Sequence, residues 1–205
     1  MLPDGAVLKG IDAYNQPDYN SFLKIPDEIG NKPVIGVASY AFSYALIKYI
    51  QLPGTIKFIG SNAFIGSDLV SVTIMGRQTP IDIGECAFKD CSNLTQFKSI
   101  RIMSIHYKAF SGCNNLHDYG SLYVSRLETE AFYNCPVACL QLEDNVELVG
   151  GCFIGSNIQE LDALNRINCS ESVIEELIQK QIEVCMSPKA AANELVYMGV
   201  TVIHD

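Results

Sequence analysis

Apolar residues return along this chain at an interval of twenty-odd positions, with polar residues between them. The firmest column is Phe42, Phe64, Phe88, Phe110, Phe132 and Phe153, at steps of 22, 24, 22, 22 and 21 residues. Ala precedes the first five of these rings, and Cys152 precedes the sixth. Five residues ahead of each Phe stands an aliphatic (Val37, Ile59, Ile83, Ile105, Leu127), and Val149 takes that role in the sixth copy, one residue closer to its ring. Three residues earlier come Val34, Ile56, Pro80, Ile102, Val124 and Val146. A fixed period in this range marks a solenoid, in which each copy is one coil and neighbouring coils share a core.

Each coil also carries a short alternating stretch, such as Ile50 and Leu52, Val72 and Ile74, or Leu140 and Leu142. Period-two alternation predicts one short strand per coil with one face inward. Stacked coils then place these strands in parallel, about 4.7–4.9 Å apart. The Ala must be small where the coil turns tightly, and the Phe fills the hollow centre. The fold class predicted is an α/β-type solenoid of six to seven right-handed coils with short parallel strands, a strand cap at the N-terminus and a helical cap at the C-terminus.

The predicted organisation has three parts. Residues 1–33 read as a hairpin-like cap, with Ala6–Leu8 and Phe22–Ile25 as strands around the turn cluster Tyr14–Asp18. Residues 34–168 are the solenoid. Residues 169–205 are a C-terminal cap or, on the alternative reading, a docking module. In that last part Val173, Ile174, Leu177, Ile178, Ile182 and Cys185 form one apolar helical stripe opposite Glu171, Glu175, Glu176, Gln179 and Glu183. Ser170 or Ser172 stands where an N-cap belongs. Ser187-Pro188 opens a second predicted helix over 190–198, followed by a closing strand over 200–203.

The residues then show a resemblance. Ile83-Gly84-Glu85-Cys86-Ala87-Phe88-Lys89-Asp90-Cys91-Ser92-Asn93-Leu94 resembles the BspA-like leucine-rich repeats of surface antigens, and Ile59-Gly60-Ser61-Asn62-Ala63-Phe64 does so as well. Leu52-Pro53 is similar to that family's Ile-Pro step, and Lys24 to Val34 is similar to its usual lead into the first coil. The resemblance covers about residues 20–168. Departures are His106 and Glu128 in place of Gly, Ser99 and Ser121 in place of an inward aliphatic, and a sixth coil one residue short. What the resemblance implies is a non-enzymatic recognition module at a cell surface or outside the cell, adhering to host or neighbouring-cell proteins.

Charge narrows the partners. The formal net charge is −9, and Lys and Arg are scattered without a run. Nucleic acid and anionic membrane are therefore not expected as main partners. No run of eighteen apolar residues exists, so membrane insertion is not expected. Met1 to Tyr14 lack the basic start and apolar stretch of a leader, which fits a cytoplasmic protein or a secreted one with its leader removed.

Candidate chemistry is sparse. Cys91, Cys113 and Cys135 share one column three residues after a core Phe. Stacking brings their Cα atoms within disulfide range, yet their Cβ vectors point the same way, so buried thiols are the plainer reading. Cys135-x-x-x-Cys139 lacks the second close pair that zinc sites use, with Cys135 inward and Cys139 outward. His106 and Glu128 sit in adjacent coils, where an ion pair is expected, but no nucleophile or orienting third group accompanies them. No phosphate loop, nucleophile elbow or His-Glu-x-x-His run appears. No cofactor, metal site or catalytic residue is assigned, and the protein reads as not an enzyme.

The strand face carries the binding expectation. Its outward columns are Tyr49, Ser71, Gln96, Asp118, Cys139 and Glu160, and beside them Gln51, Thr73, Lys98, Gly120, Gln141 and Asp162. They are polar and turn acidic toward the C-terminal end. Extended faces of this kind are what solenoids use to hold a protein partner. An ordinary solvated face is the plainer reading of these columns, and an intracellular scaffold or regulator is the alternative function.

Overall fold

In the computed structural model, residues 4–10, 22–76, 80–98, 101–119, 123–163, 167–186 and 202–204 are described. Backbone and burial make a parallel-strand solenoid whose coils pass through up to two strands and one tight turn, Ala-Phe in five coils and Cys152-Phe153 in the sixth. The small sheet holds β2 (Phe22–Lys24), β5 (Tyr49–Pro53), β7 (Ser71–Met75) and β9 (Gln96–Lys98), in that order. The large sheet runs β1 (Ala6–Leu8), β4 (Lys32–Val37), β6 (Phe58–Ile59), β8 (Ile81–Ile83), β10 (Arg101–Ile105), β11 (Tyr123–Leu127), β12 (Cys139–Leu148), β13 (Glu160–Ala163), β15 (Glu183–Met186) and β16 (Val202–His204). Off that path, β14 (Ile167–Cys169) pairs in parallel with β12, and β3 (Glu28–Ile29) pairs antiparallel with β4. The one-strand-per-coil expectation therefore covers half of each coil. The second strand carries the aliphatic column five residues ahead of each Phe, and in β4, β10, β11 and β12 the earlier column as well.

Five of the six rings stack. Centroids of Phe42, Phe64, Phe88, Phe110 and Phe132 follow one another at 5.1, 5.1, 5.2 and 5.4 Å, with interplanar angles of 5 to 8°. That interval follows the strand spacing of about 4.8 Å, since each ring rides on its own coil. Phe97 meets Phe88 and Phe110 edge-on at 5.4 and 5.1 Å, from the opposite wall of the core. Phe153 is fully buried too.

The turns bond coil to coil. Phe42, Phe64, Phe88 and Phe110 each donate their backbone N–H to the carbonyl of the Ala one coil later, at 2.7 to 2.9 Å. Residues two before and two after each ring carry positive φ: Lys108 (55°) and Gly112 (78°) about Phe110, Glu130 (55°) and Asn134 (51°) about Phe132. Left-handed backbone costs about 1–2 kcal/mol for a non-glycine residue. Here it aims both flanking N–H groups at carbonyls of the next coil: Lys108 donates to Thr129, Gly112 to Tyr133, Glu130 to Gly151 and Asn134 to Gly155. Cys91 and Cys113 close the same level of the coil: their thiols donate to the carbonyls of Phe64 and Phe88 at 3.0 and 3.1 Å. All eight cysteines are free, and Cys91, Cys113, Cys135 and Cys152 are buried. Burial pushes the Cys91 thiol up to about 11 and the Cys135 thiol up to about 12.

Several expectations are corrected. The N-terminal strands do not form a hairpin with each other. Instead β1 pairs in parallel with β4, and β2 with β5, so each supplies the missing neighbour of the first full coil. The hairpin that exists is β3–β4, turning at Gly30 and Asn31 (φ 59° and 60°), a two-residue turn with both central residues left-handed. The aliphatic column continues through Leu148, paired with Leu127, while Val149 takes the place of the Gly. Ile81, paired with Ile102, fills the role assigned to Pro80. Ser99 and Ser121 lie outside the described residues.

The C-terminal stripe divides. Helix α1 spans Glu171–Gln179 and buries Val173, Ile174 and Leu177. Gln181 (φ 55°) then ends the helical path, and Glu183–Met186 becomes β15 against β13. Ser170 is the N-cap residue but makes no side-chain cap bond; its hydroxyl pairs with that of Ser172 at 2.7 Å. The predicted second helix over 190–198 lies outside the described residues, and of the closing strand the described part is β16.

One side chain explains how the column of Phe turns stops, while the strand ladder runs on through β15 and β16. Glu176, expected on the solvent face of the helix, accepts from the backbone N–H groups of Gly151 and Phe153, the latter at 3.1 Å. In inner coils the equivalent donors bond to carbonyls of the following coil. A carboxylate with two acceptor oxygens replaces those carbonyls where the Phe turns end. Lys180 donates to the Ser156 carbonyl at 3.2 Å and holds the same terminal turn.

Candidate functional site

Strand register decides which outward residues are neighbours. On the first column Phe22, Tyr49, Ser71 and Gln96 follow one another, and Gln96 bridges to Asp118. Farther along, Cys139, Glu160 and Glu183 are aligned. On the second column Lys24, Gln51, Thr73 and Lys98 are aligned, as are Gln141, Asp162 and Cys185. Tyr49, Ser71, Gln96 and Asp118 are thus aligned, beside Gln51, Thr73 and Lys98, on the small sheet, and Gln141, Glu160 and Asp162 stand together on the large sheet, where Gln141 pairs on its other side with Tyr123. Gly120 lies outside the described residues. Ser71 departs in one respect: it is only 9% exposed, so it offers little surface.

Four members were missed. Phe22, 61% exposed, and Lys24 extend the columns at one end, and Glu183 and Cys185 extend them at the other. Phe22-Leu23-Lys24-Ile25 has the same alternation as Tyr49-Ile50-Gln51-Leu52, which was the available signal. Glu183 was hidden because its strand continues the apolar stripe of α1.

The columns change character along the rod. Phe22 and Tyr49 make the near end aromatic. In the middle Lys98 pairs with Asp118 at 3.1 Å. At the far end stand Glu160, Asp162 and Glu183, none of which has an ion-pair partner among the described residues. Glu160 accepts from the Cys185 thiol at 3.3 Å. Burial and the nearby carboxylates of Glu160 and Asp162 raise the Cys139 thiol above its ordinary range.

A second charged array lies on the large sheet. His106 Nε2 is 3.0 Å from Asp82 Oδ1, and His106 Nδ1 is 3.1 Å from Glu128 Oε1. The expected His106–Glu128 contact is present, with Asp82 added from the coil before. Arg126 donates through Nε to Glu128 at 3.1 Å and through Nη1 to Glu147, and Arg101 donates to Glu143 at 3.0 Å. Burial raises the Glu128 carboxyl, but hydrogen bonds from Arg126 and the proximity of His106 outweigh it and hold it below the usual carboxylate range. Hydrogen bonds to Glu128 and Glu147 raise Arg126. Both imidazole nitrogens face carboxylates, so neither is positioned to take a proton from a nucleophile. The array ties successive coils together. Among the described residues no group of His, Cys, Asp and Glu is arranged to hold a metal ion. None of the described helices is long and apolar enough to cross a membrane.

Comparison with known proteins agrees with this architecture. Residues 35–159 match, in six copies, the family model described as BspA type leucine rich repeat region. The fold is similar to that of a leucine rich cell surface protein from Faecalibacterium prausnitzii A2-165, with a TM-score of 0.58 and 23% identity over 73% of this chain and 43% of that one. It is also similar to a leucine rich repeat protein from T. pallidum, with a TM-score of 0.57 and 21% identity over 90% of this chain and 86% of that one. The chain spans under half the length of the F. prausnitzii protein, and identities this low speak for the fold alone. No curated protein matches the chain.

Proposed function

Because the chain belongs to the BspA type leucine-rich repeat family, we propose that it is a non-enzymatic protein-recognition module that holds a protein partner along its strand face at a cell surface. The observation that carries this is two groups of outward, mostly polar residues in strand register, Tyr49, Ser71 and Gln96 beside Gln51, Thr73 and Lys98 on the small sheet, and Cys139 and Glu160 beside Gln141 and Asp162 on the large one. A regular spacing of about 4.8 Å between coils presents side chains as a ruled array, which suits an extended surface better than a small pocket. The F. prausnitzii relative is called a cell surface protein, which supports the location. Adhesion to host or neighbouring-cell proteins is the role proposed.

Replacing Gln96, Asp118 and Glu160 together by Ala tests the face. Binding to a verified surface-protein partner is expected to weaken at least about tenfold, or 1.4 kcal/mol. Unchanged affinity in a surface-resonance titration would take this face out of the proposal.

The eight free cysteines favour a second reading, an intracellular scaffold. A thiol titration of freshly isolated native protein separates the two. Eight titratable thiols after denaturation without reductant support a reducing compartment, and two or more disulfides support export. In the native state Cys91, Cys113, Cys135 and Cys152 are expected to react far more slowly than Cys86, because they are buried and protonated.

A further inference from the structure

The Ala-Phe turns form an edge of the solenoid distinct from the strand columns, and coils three to five leave a groove there of about 360 Å³. Lys89, Asp90, Lys108, Glu130, Tyr133 and Asn134 line it, and none of them belongs to a strand. The groove is large enough for a small ligand, since such sites run from about 300 to 1,000 Å³.

Its shape follows from one column. Two residues after each ring stand Asp90, Gly112 and Asn134, all left-handed (φ 59°, 78° and 51°). The middle coil has no side chain, so the carboxylate of Asp90 leans over Gly112: an ideal Cβ there would stand 2.6 Å from Asp90 Oδ1. Asp90 and Asn134 thus face a common floor from two coils apart, about 10 Å. Tyr133, 37% exposed, is seated on Gly155, where any Cβ would collide with the ring carbons Cδ2 and Cε2.

The chemistry of the lining selects among ligands. Lys108 is paired with Glu130 at 3.3 Å and Lys89 with Asp90 at 3.7 Å, so the charges cancel locally. Neither a phosphate nor a cation finds a net field. The backbone N–H groups of Asp90, Gly112 and Asn134 already donate to Ser111, Tyr133 and Gly155 at 2.8 to 2.9 Å, so no free edge awaits an added peptide strand. What remains are donors on the lysines and the Asn134 amide, acceptors on the carboxylates and the same amide, and one aromatic ring. A ligand matching that set carries hydroxyls, which donate and accept at once, on a ring with an apolar C–H face.

We propose that this groove binds a neutral saccharide, with a sugar ring against Tyr133 and its hydroxyls bonded to Asp90, Asn134 and the lysines. The site is separate from the strand face, and either proposal stands or falls without the other.

The test is a titration of isotopically labelled full chain, followed by amide chemical shifts, with chitotriose, maltotriose and lactose in turn and sodium phosphate as the ionic control. At least one sugar is expected to shift the amides of Asp90, Gly112 and Asn134 and to saturate in the millimolar range. Tyr133→Ala is expected to weaken that binding at least about tenfold. Asp90→Asn, which tolerates the left-handed backbone, is expected to weaken it severalfold while the rest of the spectrum is retained, and it carries the test if the Tyr133 variant does not fold. No shift at these amides with any of the three sugars overturns the proposal. So does a response to phosphate alone, or wild-type affinity in whichever variant folds.

Discussion

Phe110→Ala is expected to lower the free energy of unfolding by about 3–5 kcal/mol, the range for a large aromatic removed from a packed interior. Phe110 stacks on Phe88 at 5.2 Å and on Phe132 at 5.4 Å, and Phe97 abuts it edge-on at 5.1 Å. Those neighbours cannot close the gap. Phe88 and Phe132 are held at the height of their own coils by the Ala-Phe turns, and Phe97 by strand β9, whose Phe97 N–H donates to the Asp118 carbonyl, so the cavity persists and its walls lose contacts outright. Phe42→Ala is the internal control. Among the described residues its ring has one stacked partner, Phe64, and stands at the end of the column, so a smaller loss is expected. The check is a urea titration of both variants beside wild type. A Phe110→Ala midpoint equal to wild type would refute the shared axis of rings.

The second large effect is expected at Glu176. Glu176→Ala removes the acceptor of the Gly151 and Phe153 N–H groups in a partly buried turn. Hydrogen bonds to charged groups contribute about 1.5–3 kcal/mol, and a loss of about 2–3 kcal/mol is expected. The damage should be local, because a terminal coil contacts a single neighbour. Amide exchange at Gly151 and Phe153 should therefore accelerate well before exchange at Phe88. Glu176→Gln keeps one acceptor oxygen and should fall between the two. Glu175→Ala, one residue away and exposed, should stay within about 0.5 kcal/mol of wild type. Equal exchange rates in wild type and Glu176→Ala would show that this carboxylate does not end the column of Phe turns.

Why was so much of the coil legible, and why was the second strand not? The Phe, Ala and Cys columns repeat because each coil asks the same thing of those positions: fill the axis, turn tightly, bond the carbonyl behind. Six repetitions of one demand leave a period that a single sequence displays. The large sheet makes no such uniform demand. Its register shifts between Ile102 and Ser104 and again between Val124 and Arg126, so the alternation loses phase. In β4 the last four residues are all buried, which also erases alternation. The left-handed positions around each ring carry Gly or Asn, which favour such backbone, only at Asn62, Gly66, Gly112, Asn134, Gly151 and Gly155; Lys108 and Glu130 adopt the same backbone without advertising it.

The candidate face divides the same way. Its inner columns were readable because outward residues alternate with core residues. Its ends were not: Glu183 belongs to a strand that continues the apolar stripe of α1, and Phe22 to a strand that precedes the first Ala-Phe turn.

By itself, then, the order of residues determined the coil, its length and the residues on its axis, because those follow from contacts that recur at a constant separation. Tertiary structure alone decided where the helix yields to a strand after Gln181, and that Glu176 turns inward rather than out. The apolar stripe from Val173 to Cys185 suits a longer helix equally well. What selects the strand is the open edge of β13, whose N–H and C=O groups gain partners only if the chain extends alongside them.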